Sequence, residues 1–156
     1  MLWYPNGQVQ QESGYVKNQL NGTFKQFAAN GQPTVVGAYN SGKKDGKWEK
    51  WYDNGQQLNI AAYTNNYLEG AFSAWYEDGT KAMEHAYKTG KFHGPLKAWY
   101  GNKQLAREEA YDYGKNHGKH SSWTYEGDWD STKCFWYGSL KWTAKTELAG
   151  KDQECP

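Results

Sequence analysis

Histidines, acids and cysteines carry whatever side-chain chemistry this 156-residue chain holds, and their spacing limits what that chemistry is. His93 and His117 stand 24 residues apart, the interval at which several other residue types recur. Histidines in register suggest a metal ladder. A zinc ion, however, holds its ligands at about 2 Å, whereas equivalent positions two strands apart are separated by about 10 Å. His85 and His120 occupy other positions, and neither has a cysteine at zinc-ligand spacing. The expectation is no metal site. Glu126, Asp128 and Asp130 alternate, so on an unbroken strand their carboxylates share a face, and paired carboxylates serve as acid and base. Their segment carries a tight turn with Trp129 between two of them, which favours a contact for a basic partner over catalysis. Cys134 and Cys155 are the only cysteines and both lie near the end of the chain. A disulfide closing that loop of about 20 residues contributes about 3 kcal/mol by restricting the unfolded chain. Two free thiols are the other reading. A bridge implies an oxidising compartment, the periplasm or cell exterior; free thiols imply the cytoplasm. No nucleophile elbow, phosphate loop or Cys-His pair accompanies these residues, so neither a catalytic residue nor a cofactor is assigned.

The elements that position them follow from periodicity. Trp3, Phe27, Trp51, Trp75, Trp99 and Trp123 recur every 24 residues; so do Tyr15, Tyr39, Tyr63, Tyr87 and Tyr111, and Gly22, Gly46, Gly70, Gly94 and Gly118. Gly7, Gly31, Gly55, Gly79 and Gly127 add a further column on the same period. Such regularity marks a repeat protein whose units bury their apolar faces by stacking. In residues 47–70 the run Trp48 to Tyr52 reads as a strand, and Asn54-Gly55 as a type I′ turn with both central residues at positive φ. Residues 57–63 read as the return strand. Residues 64–70 read as a longer second turn, with Asp45-Gly46 and Asn21-Gly22 serving the equivalent turns. In the fifth unit the tight turn shifts to Gly101-Asn102-Lys103, read as a different hairpin loop.

Alternation along the strand sends Trp48, Lys50 and Tyr52 to one face and Glu49 and Trp51 to the other. Stacked hairpins then align Phe24, Trp48, Phe72 and Leu96 in one apolar ladder and Trp51, Trp75 and Trp99 in another. The small residues before the tyrosine column, Gly14, Ala38, Ala62, Ala86 and Ala110, are read as the space that receives a neighbouring ring. The last unit departs from the pattern, with Phe135 in the tyrosine column and Trp142 in the glycine column. The fold class expected is therefore all-β: an elongated, single-layer β-hairpin solenoid of about six 24-residue repeats over residues 1–142. Residues 143–156 form a C-terminal tail that caps the final edge.

Composition agrees with a thin structure. Aromatics are 17% of residues while hydrophobic residues total only 37%, so large rings must supply most of the burial. The net charge of +1, from 18 basic and 17 acidic residues, leaves no electrostatic footprint for nucleic acid. No stretch reaches the roughly 20 apolar residues of a membrane span. Met1 is followed at once by Leu2-Trp3-Tyr4, inside the first repeat, and the reading is that a natural leader has been trimmed and Met1 added.

The unit resembles the MORN-repeat variant of bacterial proteins. The likeness lies in Asn30-Gly31, Tyr39, Gly42-Lys43-Lys44-Asp45-Gly46, Trp48 and Trp51-Tyr52. It recurs in Asp78-Gly79, Tyr87, Gly90-Lys91-Phe92-His93-Gly94 and Trp99-Tyr100, and runs from residue 2 to about 142. The resemblance implies a non-catalytic ribbon of hairpins used for binding. Among bacterial relatives it implies an immunity or antitoxin protein that binds and neutralises a cognate toxin or secreted effector, in the periplasm or cell envelope. An alternative is an envelope-binding module that stacks cell-wall sugars or lipid headgroups on its aromatics, since the Trp-Tyr pairs faintly resemble choline-binding repeats. The surface expected to meet a partner is the column Tyr52, Tyr76 and Tyr100 beside Lys50 and Lys97, with Glu126, Asp128 and Asp130 as a second contact.

Overall fold

A computed structural model describes residues 1–156. The chain divides into two units, residues 1–79 and 80–156. In the first, seven strands pair in chain order as an antiparallel meander: β1 (Leu2–Trp3), β2 (Val9–Val16), β3 (Gln19–Phe27), β4 (Pro33–Asn40), β5 (Lys43–Trp51), β6 (Gln57–Thr64) and β7 (Tyr67–Trp75). The second contains β8 (Lys81–Lys88), β9 (Lys91–Phe92), β10 (Gly94–Trp99), β11 (Leu105–Asp112), β12 (Lys115–Asn116), β13 (Gly118–Trp123), β14 (Trp129–Trp136), β15 (Ser139–Thr143) and the short helix α1 (Glu147–Asp152). There β8, β10, β11, β13, β14 and β15 pair in that order, with β9 on β8 and β12 on β11. Each unit is thus an antiparallel sheet of hairpins, the all-β class expected from the repeat.

The two turns exchange the types read from the sequence. At the Asn-Gly turn only the glycine has positive φ, as at Gly55 (φ +84°). Its amide donates to the Tyr52 carbonyl at 2.9 Å, and the Tyr52 amide donates to Gln56 at 2.9 Å. That is a type I turn closed by a glycine bulge. Asn54 takes part through its side chain, whose Oδ1 accepts from the Gln56 amide at 2.9 Å. The fifth repeat keeps this turn instead of adopting another loop: Lys103 takes the glycine's place at φ 72°, and its amide donates to Tyr100 at 2.9 Å.

The type I′ geometry lies at the other end of the hairpins, in two-residue turns. Asn65 and Asn66 (φ 52° and 73°) join β6 to β7, and equivalent pairs with both φ positive occupy residues 17–18, 41–42, 89–90, 113–114 and 137–138. Consequently the strands of the first unit are longer than the sequence suggested, with Gly22, Gly46 and Gly70 inside β3, β5 and β7, while Gly94 and Gly118 begin β10 and β13. Gly46 (φ +75°) opens a bulge: Val36 pairs with Glu49 and Ala38 with Asp45, so Gly46, Lys47 and Trp48 together oppose Gly37.

This bulge swings Trp48 across β4. A Cβ on Gly37 would lie 2.3 Å from the Trp48 ring, so the ring occupies the place a side chain would take. The indole nitrogen donates to the Ala38 carbonyl at 3.1 Å. The space that receives the ring is therefore Gly37, one residue before the small column proposed from sequence. Phe24 (5.6 Å), Tyr39 (5.1 Å) and Tyr63 (6.1 Å) surround the buried Trp48 ring, mostly edge to face.

At the chain's end the tail turns back. Thr146 caps α1, its hydroxyl accepting from the Ala149 amide at 3.2 Å. Gly150 seats the helix on β14 so closely that a Cβ would lie 2.7 Å from Thr132. Cys134, fully buried on β14, is joined by a disulfide to Cys155, with Cα atoms 5.7 Å apart. The tail thus covers β14 instead of extending past β15.

Candidate binding site

The tyrosine column expected to meet a partner also has a structural task. Tyr52 donates its hydroxyl to the Trp75 carbonyl at 2.9 Å, as Tyr4 does to Phe27 at 2.8 Å and, in the second unit, Tyr100 to Trp123 at 2.9 Å. Asn54 and Asn102 run alongside, their amides donating to the carbonyls of Glu77 at 2.9 Å and Tyr125 at 2.6 Å. Together they tie each tight turn to the next repeat. Tyr52 and Tyr100 are half-buried; Tyr76 is 38% exposed.

Lys50 and Lys97 do not share a side of the repeat. Lys50 pairs in register with Val35 and Asn59 and follows Trp48 by two residues, so it lies on the ring side of its strand. Lys97 lies between the buried Leu96 and Ala98 and points away from them, its ammonium 2.8 Å from the Glu108 carboxylate. The hydrogen bond and charge of Glu108 hold Lys97 above the usual lysine range. The three acids are similarly dispersed. Glu126 sits in the turn that Gly127 closes on Thr124, and Asp128 follows it, its carbonyl accepting from Thr124 at 2.8 Å. Only Asp130 lies within a strand, in the bulge opposite Ser122, whose hydroxyl donates to it at 2.8 Å. No continuous strand face carries the three carboxylates.

A different group of residues converges in the second unit. The positions filled by Ser13, Gly37 and Ala61 in the first three repeats hold His85, Glu109 and Lys133 in the next three. The ring positions Phe24, Trp48 and Phe72 become Leu96 and His120. Register pairing sets Leu96 opposite Glu109 and His120 opposite Lys133, and Arg107 opposite Ser122 opposite Ser131. The result is an open groove of about 290 Å³ lined by Arg107, Glu109, His120, Ser122, Ser131 and Lys133.

Its internal bonds leave both cations outward. Glu109 accepts from the Tyr111 hydroxyl at 2.9 Å and lies 3.5 Å from Arg107 Nη1. Burial, reinforced by that bond to a carboxylate, pushes the Tyr111 phenol up to about 12, so it is a fixed hydrogen-bond donor near neutrality. His120 repeats the role of Trp48: its Nε2 lies 2.8 Å from the Ala110 carbonyl, and its ring meets Phe135 at 4.9 Å. Ser122 and Ser131 share a hydroxyl contact of 2.9 Å. Arg107 and Lys133 remain exposed above this floor. The arrangement suits recognition of a partner's carboxylates and backbone carbonyls, for which an arginine fork is well shaped.

The change of residue type along these columns is visible in the sequence. Their facing pairs were not, because the bulge at the glycine column determines which residues meet.

A family model described as MORN repeat variant matches residues 2–18 and 44–65. These stretches contain the hairpins β1–β2 and β5–β6 with their type I turns. The two matched stretches are similar to the MORN repeat variant. Comparison with curated proteins found no match.

Proposed function

We propose that this chain is a non-catalytic protein-binding scaffold that recognises and neutralises a bacterial toxin or secreted effector, using the groove of its second unit. The observation that carries this reading is the replacement of ring and small-residue columns by Glu109, His120 and Lys133, with Arg107 two residues before Glu109 completing the groove. A repeat that keeps its backbone while exchanging apolar packing for outward cations gains recognition at the expense of core. The MORN-repeat match supports the scaffold, and the resemblance to bacterial immunity repeats supports the toxin as partner. The Cys134–Cys155 bridge favours the periplasm or envelope as the place of action.

The test is affinity capture from source cells with the chain as bait, followed by titration of the recovered protein against the chain and its Arg107→Ala, Lys133→Ala variant. The expected result is a stoichiometric partner, toxic when expressed alone, that binds the variant at least about tenfold more weakly, as loss of desolvated charge contacts predicts. Recovery of cell-wall fragments or lipid without a protein would favour the envelope-binding alternative, and an unchanged affinity in the variant would remove the groove from the interface.

A further inference from the structure

The type I′ turns of the second unit depart from those of the first at one position. Lys17, Ser41 and Asn65 stand first in these turns in the first unit and Thr89 in the first turn of the second, whereas Tyr113 and Tyr137 stand there in the two that follow, at φ 46° and 48°. Positive φ favours Asn, Asp or Gly and is a steric burden for a ring-bearing side chain. Core packing does not explain the choice, because Tyr113 is 45% and Tyr137 51% exposed. Strain held at an exposed site points to use of that site.

The neighbours make it a surface. Tyr113 rests on His93 at 4.9 Å, while His117 meets Trp136 at 4.5 Å and Tyr137 at 4.6 Å. Trp136 is itself 37% exposed. His117 Nδ1 is buried beneath these rings with no hydrogen-bond partner, a cost retained at the same place. Cations gather beside Tyr113: of the two lysines flanking the Thr89-Gly90 turn, Lys88 extends over the Tyr113 ring at 5.2 Å and the stem of Lys91 packs 3.6 Å from the Cβ position of Gly114, while Lys115 begins β12. Asp112, the acid beside them, lies 3.2 Å from His93 Nδ1.

We propose that this aromatic, lysine-flanked turn edge docks an acidic segment of a partner protein. Tyr113 and Tyr137 lie one repeat apart, about 10 Å from two strand spacings, a span that three residues of extended chain cover at about 3.3 Å each. An extended segment rich in Glu and Asp can therefore lay its apolar stems on successive rings while its carboxylates meet the lysines. The proposal takes from the preceding section only that the partner is a protein; the turn edge uses other side chains than the groove and adjoins it at Asn116 and Phe135.

The experiment titrates the whole chain with fluorescein-labelled poly-glutamate, following polarisation. It compares the chain with a Tyr113→Asn, Tyr137→Asn variant, which keeps every charge and installs the residue the turn prefers. Binding by the chain, weakened at least about tenfold in the variant, together with a melting temperature raised by about 2 °C or more, supports the proposal. Absent binding, equal affinity in the variant, or a lower melting temperature overturns it, the last because the rings would then be structural. Tighter binding to phosphatidylserine vesicles or single-stranded DNA than to the peptide also overturns it. Because the groove cations also suit carboxylates, the titration is repeated on an Arg107→Ala, Lys133→Ala background. The Tyr113→Asn, Tyr137→Asn change should still weaken binding at least about tenfold there; no further loss would overturn the turn edge while leaving the groove, so the two failures are told apart.

Discussion

The same side of the repeat is filled in opposite ways in the two units. In the first, large rings face small residues: Phe24 opposes Ser13 and Gly37, while Trp48 and Phe72 oppose Ala61. In the second, the small positions have grown into Glu109 and Lys133 as the ring positions have shrunk to Leu96 and His120. Volume is exchanged across each pair while the backbone register persists. A thin sheet can thus change from packing surface to recognition surface without a new fold, provided each exchange is reciprocal. Lys44 shows the limit of that freedom in the first unit: its ammonium lies 4.3 Å from the Trp48 ring centroid, and burial followed by repulsion from Lys50 lowers its affinity for a proton.

The largest effect that would test this contrast comes from truncating one column in both units. Trp48→Ala removes a buried ring that fills the space over Gly37, and a loss of about 3–5 kcal/mol is expected. His120→Ala at the equivalent place removes a partly exposed ring and one hydrogen bond, for about 1 kcal/mol. Urea denaturation of the two variants measures both. Similar losses would mean that the groove floor is as much a core as the ring face, and the division between packing and recognition would fail.

Acid provides a second, smaller probe. His85 stands in the column that holds Gly37 and Ala61, buried with its ring against Tyr87 at 4.7 Å and Phe92 at 4.8 Å. Burial holds its proton affinity below the usual histidine value. The neutral ring is therefore favoured in the folded state, so its contribution is complete above the ordinary value near pH 6.5 and declines as pH falls below it. One such group gives a slope of at most about 1.4 kcal/mol per pH unit. Thermal unfolding between pH 7 and 5 should show a steeper decline for the chain than for His85→Gln. Equal slopes would mean that the second unit admits water at His85 as freely as an exposed site.

How far these features were legible depends on their range. The repeat, strand existence, Asn-Gly turns and all-β class follow from residue types a few positions apart, where turn chemistry and alternation act directly. The turn types were exchanged because Asn54-Gly55 fits two geometries, and only the Gln56 bond back to Tyr52 distinguishes them. The site was harder still. Gly46 looks like a turn residue, yet its positive φ creates a bulge inside β5, and that bulge decides that Trp48 covers Gly37 instead of Ala38. Tyr52 was singled out as a contact by its ring, whereas its hydroxyl bond to Trp75 lies 23 residues away and needed the stacked turns to be seen. Glu109, His120 and Lys133 were present as departures from period, but their common groove is a property of register.

The smallest expected effect separates repeat regularity from function at one turn. Lys103 holds φ 72° where Gly7, Gly31, Gly55, Gly79 and Gly127 hold 82° to 95°. A side chain in that conformation is disfavoured by about 1–2 kcal/mol, and the greater freedom of glycine in the unfolded chain returns part of the difference. Lys103→Gly should therefore stabilise by about 0.5–1 kcal/mol, a rise in melting temperature of a few degrees. The flanking bonds, Tyr100 amide to Gln104 and Asn102 side chain to Tyr125, use no Lys103 side-chain atom, so they remain. A loss of stability would mean that Lys103 makes a compensating contact within the fold. A gain accompanied by weaker partner binding would instead place this turn with Tyr113 and Tyr137, as a strained position of the second unit kept for recognition.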